Sequence, residues 1–212
     1  MAIVVIGGHS RNVGKTSVVA GLIARLPEFH WTAFKVTQYG HGFCTADGKP
    51  CQCQTADSCV SVSAERERSS GTDSSRFLAA GAARSLWVRT RIGMLADAMP
   101  RIREEIGRSE NAILESNSIL EFLRPDLYLT ILDTAVADFK DTARRFLDKA
   151  SAVLLSSTEP AEALSSLPLD GKPRFRIPPP SYMSDDLVEF VREHLPVKAS
   201  SAVTYWAQAR SD

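Results

Sequence analysis

The residues best suited to chemistry stand near the N-terminus, in the run Gly8, His9, Ser10, Arg11, Asn12, Val13, Gly14, Lys15, Thr16, Ser17. Gly14 lets a backbone approach a ligand closely, Lys15 brings a full positive charge, and the Thr16 hydroxyl is placed to ligate Mg2+. The amides around Val13 to Thr16 can converge on an anion, and a helix starting near Thr16 adds its positive end. These residue types in this order are suited to gripping the phosphates of ATP or GTP. Gly8, Arg11, Asn12, Val13, Gly14, Lys15, Thr16 and Ser17 are therefore the candidate nucleotide-binding residues. The spacing is unusual. The common pattern places four residues between its outer glycines, and here five separate Gly8 from Gly14.

Two more charged residues end apolar runs. Lys35 closes Ala33, Phe34, Lys35, and Glu115 closes Ile113, Leu114, Glu115. Both are expected at the C-terminal ends of buried strands, where open α/β sheets bind ligands. Lys15 is a candidate catalytic cation and Thr16 a candidate Mg2+ ligand, while Lys35 and Glu115 stand where a ligand of the sheet would lie. A second cluster is made of Cys44, Cys51, Cys53 and Cys59, which are all the cysteines of the chain. Four thiolates suffice for a tetrahedral zinc site or an iron–sulfur cluster, although the spacing matches neither common signature. His41 is an alternative ligand. His9 is expected to pack within its loop, and Lys140 to be solvated.

The elements that must position these residues follow from periodicity. Residues 2–7 read as a strand with both faces buried, and residues 16–26 as a helix with Val18, Val19, Leu22, Ile23 and Leu26 at helical spacing. Residues 31–37 read as the second strand. A long loop with little periodicity is expected over 38–72. A small helical segment over 77–83 and a strand over 85–89 follow. Residues 92–106 have helical spacing, with Pro100 expected to kink or split them. Strands are expected at 111–117, 127–133, 152–156 and 172–177, and an amphipathic helix at 139–150. Ser184 is placed to cap a closing helix that ends near Leu195, with Asp185 and Asp186 favouring its N-terminus. Strands alternating with helices argue for a mostly parallel sheet covered on both faces. The expected organisation is one nucleotide-binding domain over 1–197, with a cysteine-rich insertion at 38–72 and a tail over 198–212.

The loop resembles that of dethiobiotin synthetase and its relatives. The resemblance rests on Gly8, five intervening residues with Val13 last, then Gly14, Lys15 and Thr16. In that family the second strand runs into a lysine facing the phosphates, the place Lys35 holds here. A later strand ends in an acid that holds Mg2+, the place of Glu115. Asn12 stands where the family carries a loop acid, and Arg11 is an added cation. Further along, Gly71 to Arg76 followed by Ala79, Ala80, Gly81 and Ala82 is similar to the adaptor protein of molybdopterin-guanine dinucleotide biosynthesis, the MobB-like group. Asp73 in that stretch is a weaker candidate for a metal or water contact. Together the resemblances cover about residues 1–155 at the level of motifs. They imply an α/β, three-layer Rossmann-like P-loop NTPase fold and a homodimer. Some dimeric relatives hold a metal or cluster between subunits through Cys-x-Cys pairs, which makes Cys51 and Cys53 candidates for such a site.

The chain has 212 residues, 44% of them apolar, with 25 basic and 25 acidic side chains. That balance argues against a general nucleic-acid or membrane partner. No apolar run approaches the roughly 20 residues that span a bilayer, and a cytoplasmic location is expected. Two functions fit. One is Mg2+-dependent hydrolysis or transfer of the terminal phosphoryl group of ATP or GTP to a small acceptor. The other is a nucleotide-dependent accessory role, with a partner protein, in cofactor or metallocluster assembly. Lys35 favours the first and the cysteines favour the second.

Overall fold

The computed structural model describes residues 1–40, 60–136, 138–157 and 167–195. Cys44, Cys51, Cys53, Cys59, His41 and the tail from residue 198 lie outside the described residues, and with them the expected zinc or iron–sulfur site.

Eight strands form one sheet: β1 (Ile3–Gly8), β2 (Trp31–Tyr39), β3 (Val60–Ala64), β4 (Arg84–Arg91), β5 (Asn111–Glu115), β6 (Leu127–Leu132), β7 (Ala152–Leu155) and β8 (Arg174–Arg176). Their spatial order is β3-β4-β2-β5-β1-β6-β7-β8. All neighbours run parallel except β3 and β4. The helices are α1 (Lys15–Arg25), α2 (Asp73–Ala79), α3 (Leu95–Gly107), α4 (Asp141–Phe146) and α5 (Asp185–His194).

Alternation along the central strands splits the core into two layers. Val4, Ile6 and Ile113 face one side and pack with Val18, Val19, Leu22 and Ile23 of α1, Phe77 of α2 and Leu187, Val188 and Val191 of α5. Val5, Ala112 and Leu114 face the other side and pack with Leu95, Ala98, Met99, Ile102 and Ile106 of α3 and with Phe146 of α4. Helices on both faces of a sheet make the expected three-layer α/β architecture. No helix among the described residues is long and apolar enough to cross a membrane.

Three elements differ from expectation. The segment expected to be loop contains β3, which pairs antiparallel with β4 through Val62 opposite Val88. Val60 and Val62 alternate with serines and pack on the α3 side, which is the period of a half-buried edge strand. The second helix starts at Asp73 rather than Phe77, because the Thr72 hydroxyl caps it by accepting from the Ser75 amide at 3.1 Å. Pro100 lies inside one continuous helix, α3. Burial of the apolar stripe on both sides of Pro100 outweighs the one backbone hydrogen bond it removes. The Ser184 cap of α5 is as expected, accepting from the Leu187 amide at 3.3 Å.

Candidate functional site

The C-terminal ends of β1, β2, β5 and β6 lie side by side, because β5 inserts between β2 and β1 and β6 flanks β1 on its other side. The loop leaving β1 is built on close contacts. A Cβ on Gly7 would lie 2.2 Å from the Asn117 side chain, and one on Gly8 2.7 Å from Val13. Asn117 follows β5 and clamps Gly8. Its Oδ1 accepts from the Gly8 amide at 2.9 Å, and its Nδ2 donates to the Gly8 carbonyl at 2.8 Å.

His9 is buried, as expected. Its amide donates to the Ile131 carbonyl at 3.0 Å. Its ring nitrogens also meet backbone groups, Nε2 the Val136 carbonyl at 3.1 Å and Nδ1 the Ile131 carbonyl and the Asp133 amide at 3.4 Å each. The Ser10 hydroxyl donates to Asp138 at 2.8 Å.

Asn12 and Gly14 take left-handed conformations, with φ of 57° and 93°. They turn the chain into α1, with Gly14 at the cap position. No side chain among the described residues caps this helix, and no acid sits in its first turn. Its free amides and positive end are left for an anion. The Tyr182 ring closes over this turn, so that a Cβ on Gly14 would lie 2.2 Å from it.

The Lys15 ammonium bends back and donates to the Ser10 carbonyl at 2.6 Å. Burial, then the neighbouring Lys140 charge, lower its pKa to about 8. The Thr16 hydroxyl donates to Glu115 Oε2 at 2.8 Å. Lys35 lies opposite Glu115 in the β2–β5 register. Its ammonium reaches Glu115 Oε1 at 2.7 Å, Asp73 at 2.5 Å and the Thr16 hydroxyl at 3.5 Å. Burial works against the Lys35 charge, but Glu115 and Asp73 outweigh it and raise its pKa above the usual lysine value. Arg76 donates to the Ser17 hydroxyl at 3.1 Å, which ties α2 to α1.

The structure thus brings Gly8, Val13, Gly14, Lys15, Thr16, Ser17, Lys35 and Glu115 together, and leaves Arg11 and Asn12 exposed. It adds Asp73, Asn117 and Tyr182 to the neighbourhood. Lys140 is half-buried beside Lys15 rather than solvated. The donors suit a hard cation. Mg2+ takes one or two protein oxygens and completes its shell with phosphates and water, so Thr16 and Glu115 form a sufficient protein share. No group of three or more His, Cys, Asp or Glu that could hold a metal occurs among the described residues.

No family model matches the sequence, and no curated protein matches it. Three solved structures are similar. LpxK from Aquifex aeolicus, in an "apo" form in complex with ATP, is 16% identical with a TM-score of 0.50; the match covers 83% of this chain and 53% of that one. The chain therefore spans about half the length of LpxK. HypB from Helicobacter pylori, in complex with nickel, is 15% identical over 91% of this chain and 86% of that one, with a TM-score of 0.46. MobB from Bacillus subtilis is 15% identical over 93% and 100%, with a TM-score of 0.40. The likeness to LpxK bears on the fold. With the mostly parallel eight-stranded sheet, it makes this a three-layer α/β fold.

Proposed function

We propose that this chain binds Mg2+ with ATP or GTP and hydrolyses or transfers the terminal phosphoryl group. The observation that carries the reading is the Thr16–Glu115 hydrogen bond, made across 99 positions of sequence, with Lys35 on the same carboxylate. A chance Gly-Lys-Thr turn has no reason to meet a buried acid from another strand and a second lysine.

Each residue then has a task. The amides from Gly14 to Ser17 hold the inner phosphates at the start of α1. Lys15 exchanges the Ser10 carbonyl for a phosphate oxygen. Thr16 and Glu115 hold Mg2+, which when bound neutralises developing charge on the phosphate oxygens. Lys35 swings from its carboxylates toward the terminal phosphoryl group. Positioning and fixed charge supply most of the catalysis in such transfers, so a preformed cationic cradle is the main requirement. Asp73 keeps Lys35 charged and aimed.

Calorimetric titration with Mg·ATP and Mg·GTP tests the reading. At least one should bind the wild type, and Lys15→Ala should abolish that binding while leaving the far-ultraviolet circular dichroism unchanged. An unaltered affinity in the variant would sink the assignment.

A further inference from the structure

The geometry points to Lys140 as a further ligand of the terminal phosphoryl group, reaching it from the side of the loop opposite Lys35. The inference rests on the nucleotide reading above and adds to it a residue that sets triphosphate over diphosphate preference.

The segment that carries Lys140 is fastened to the phosphate loop. His9 Nε2 donates to the Val136 carbonyl, Ser10 donates to Asp138, and the Lys140 amide donates to the His9 carbonyl at 2.8 Å. Phe139 packs against the His9 ring at 5.2 Å between centroids, with the Arg144 guanidinium 4.5 Å from the Phe139 centroid. The Lys140 backbone is thereby held one residue from the Ser10 carbonyl that receives Lys15.

The charge around Lys140 is unbalanced. Among the described residues, no carboxylate, carbonyl or hydroxyl bonds to its ammonium. Burial and the nearby Arg11 charge disfavour its ionised form; Asp138 and Glu115 lie near enough to favour it. Both acids are engaged elsewhere, Asp138 with Ser10 and Glu115 with Thr16 and Lys35. Lys35 is matched by two carboxylates, whereas Lys15 has only a carbonyl and Lys140 has neither. Half-buried cations held close together, with no carboxylate in direct contact with either, are offset best by an anion that sits between them.

Topology says which part of the anion. β5 and β6 flank β1 on opposite sides, so Lys35 and Glu115 reach the loop from the β5 side, and the segment that carries Lys140 meets it from the β6 side. The inner phosphates follow the amides of the loop and of α1. What remains beyond Lys15, between the two flanking lysines, is the terminal phosphoryl group.

The test compares dissociation constants for the β,γ-imido analogue of the nucleotide that binds the wild type and for the matching diphosphate, both with Mg2+. A charge-assisted hydrogen bond to phosphate corresponds to roughly ten-fold in affinity. Lys140→Met should weaken the triphosphate analogue by about that factor and the diphosphate by less than about two-fold, and Lys140→Arg should restore most of the preference. Unchanged triphosphate affinity, or equal losses for both nucleotides, overturns the proposal. Lys15→Ala run alongside separates the two failures. If it loses both nucleotides while Lys140→Met loses neither, the nucleotide site stands and Lys140 falls; if the wild type binds neither nucleotide, both fall.

Discussion

Lys35 sits between Asp73 at 2.5 Å and Glu115 at 2.7 Å, while Lys15 contacts the Ser10 carbonyl and no carboxylate and feels the repulsion of Lys140. The same side chain therefore holds its proton on different terms a strand apart. The pKa of Lys15, about 8, leaves it mostly charged at neutral pH and mostly neutral well above pH 8. A bound phosphate raises that pKa, so binding takes up a proton in the window above about 8. Affinity should be flat between about pH 7 and the Lys15 pKa and then fall, by at most ten-fold per pH unit. Calorimetry near pH 8.5 in buffers of different ionisation enthalpy should show the proton uptake, and its absence would contradict the burial of Lys15. That Lys15, Thr16, Lys35 and Glu115 would lie together was legible because each stands in a local pattern, a glycine-bounded loop or the end of an apolar run. Asn117 and Lys140 were not, because their partners lie more than a hundred positions away, as with Asn117 and Gly8 at 109. No local signal marks such a pair.

At the scale of elements, α3 shows how a helix with an interior proline is anchored. Glu105 lies near its C-terminal end with a side chain only 3% exposed, and receives Arg84 of β4 at 2.6 Å and Arg101 at 2.7 Å. Arg84 is the first cause of the lowering of the Glu105 pKa below the usual carboxylate value. A depressed carboxylate contributes stability that is present above its unfolded pKa, 4.5, and lost as pH falls through the lower folded value. Glu105→Gln keeps the shape and removes the charge. It should cost about 1–2 kcal/mol at pH 7, toward the low end for a charged hydrogen bond because the arginines are half exposed. Urea unfolding at neutral and acid pH checks it: the gap between wild type and variant should shrink below about pH 4.5. A gap that persists would assign the cost to packing. The long apolar elements around this anchor were read correctly from period alone. β3 was missed and the start of α2 misplaced, since their five and seven residues are too few for a period to stand out beside the polar stretches around them.

For the whole molecule, the fold class was legible and the strand order was not. Alternating strands and helices imply a parallel sheet, but nothing local says that β5 enters between β2 and β1 or that β3 runs antiparallel at the edge. That order is what makes the site a junction. The β1 loop is bonded to Asn117 beyond β5, to Ile131 of β6, to Val136 and Asp138 beyond β6, and through Thr16 to Glu115. A ligand gripping that loop therefore stabilises the sheet centre rather than a surface lobe. Binding to the folded state alone adds about 2.7 kcal/mol at a hundred times the dissociation constant. At roughly 2–4 °C per kcal/mol for a chain of this size, Mg2+ with the preferred nucleotide should raise Tm by about 5–10 °C. Thr16 and Glu115 would hold the Mg2+ that accompanies the nucleotide, so EDTA should lower the shift without abolishing it. Glu115→Gln should show a nucleotide shift that EDTA barely changes, because the carboxylate that completes the metal's protein share is gone. Thermal scans of both proteins with and without EDTA check this. If the variant loses as much of its shift to EDTA as the wild type does, another acid holds the metal; if saturating nucleotide leaves the wild-type Tm where it was, the loop is not the grip its bonding makes it.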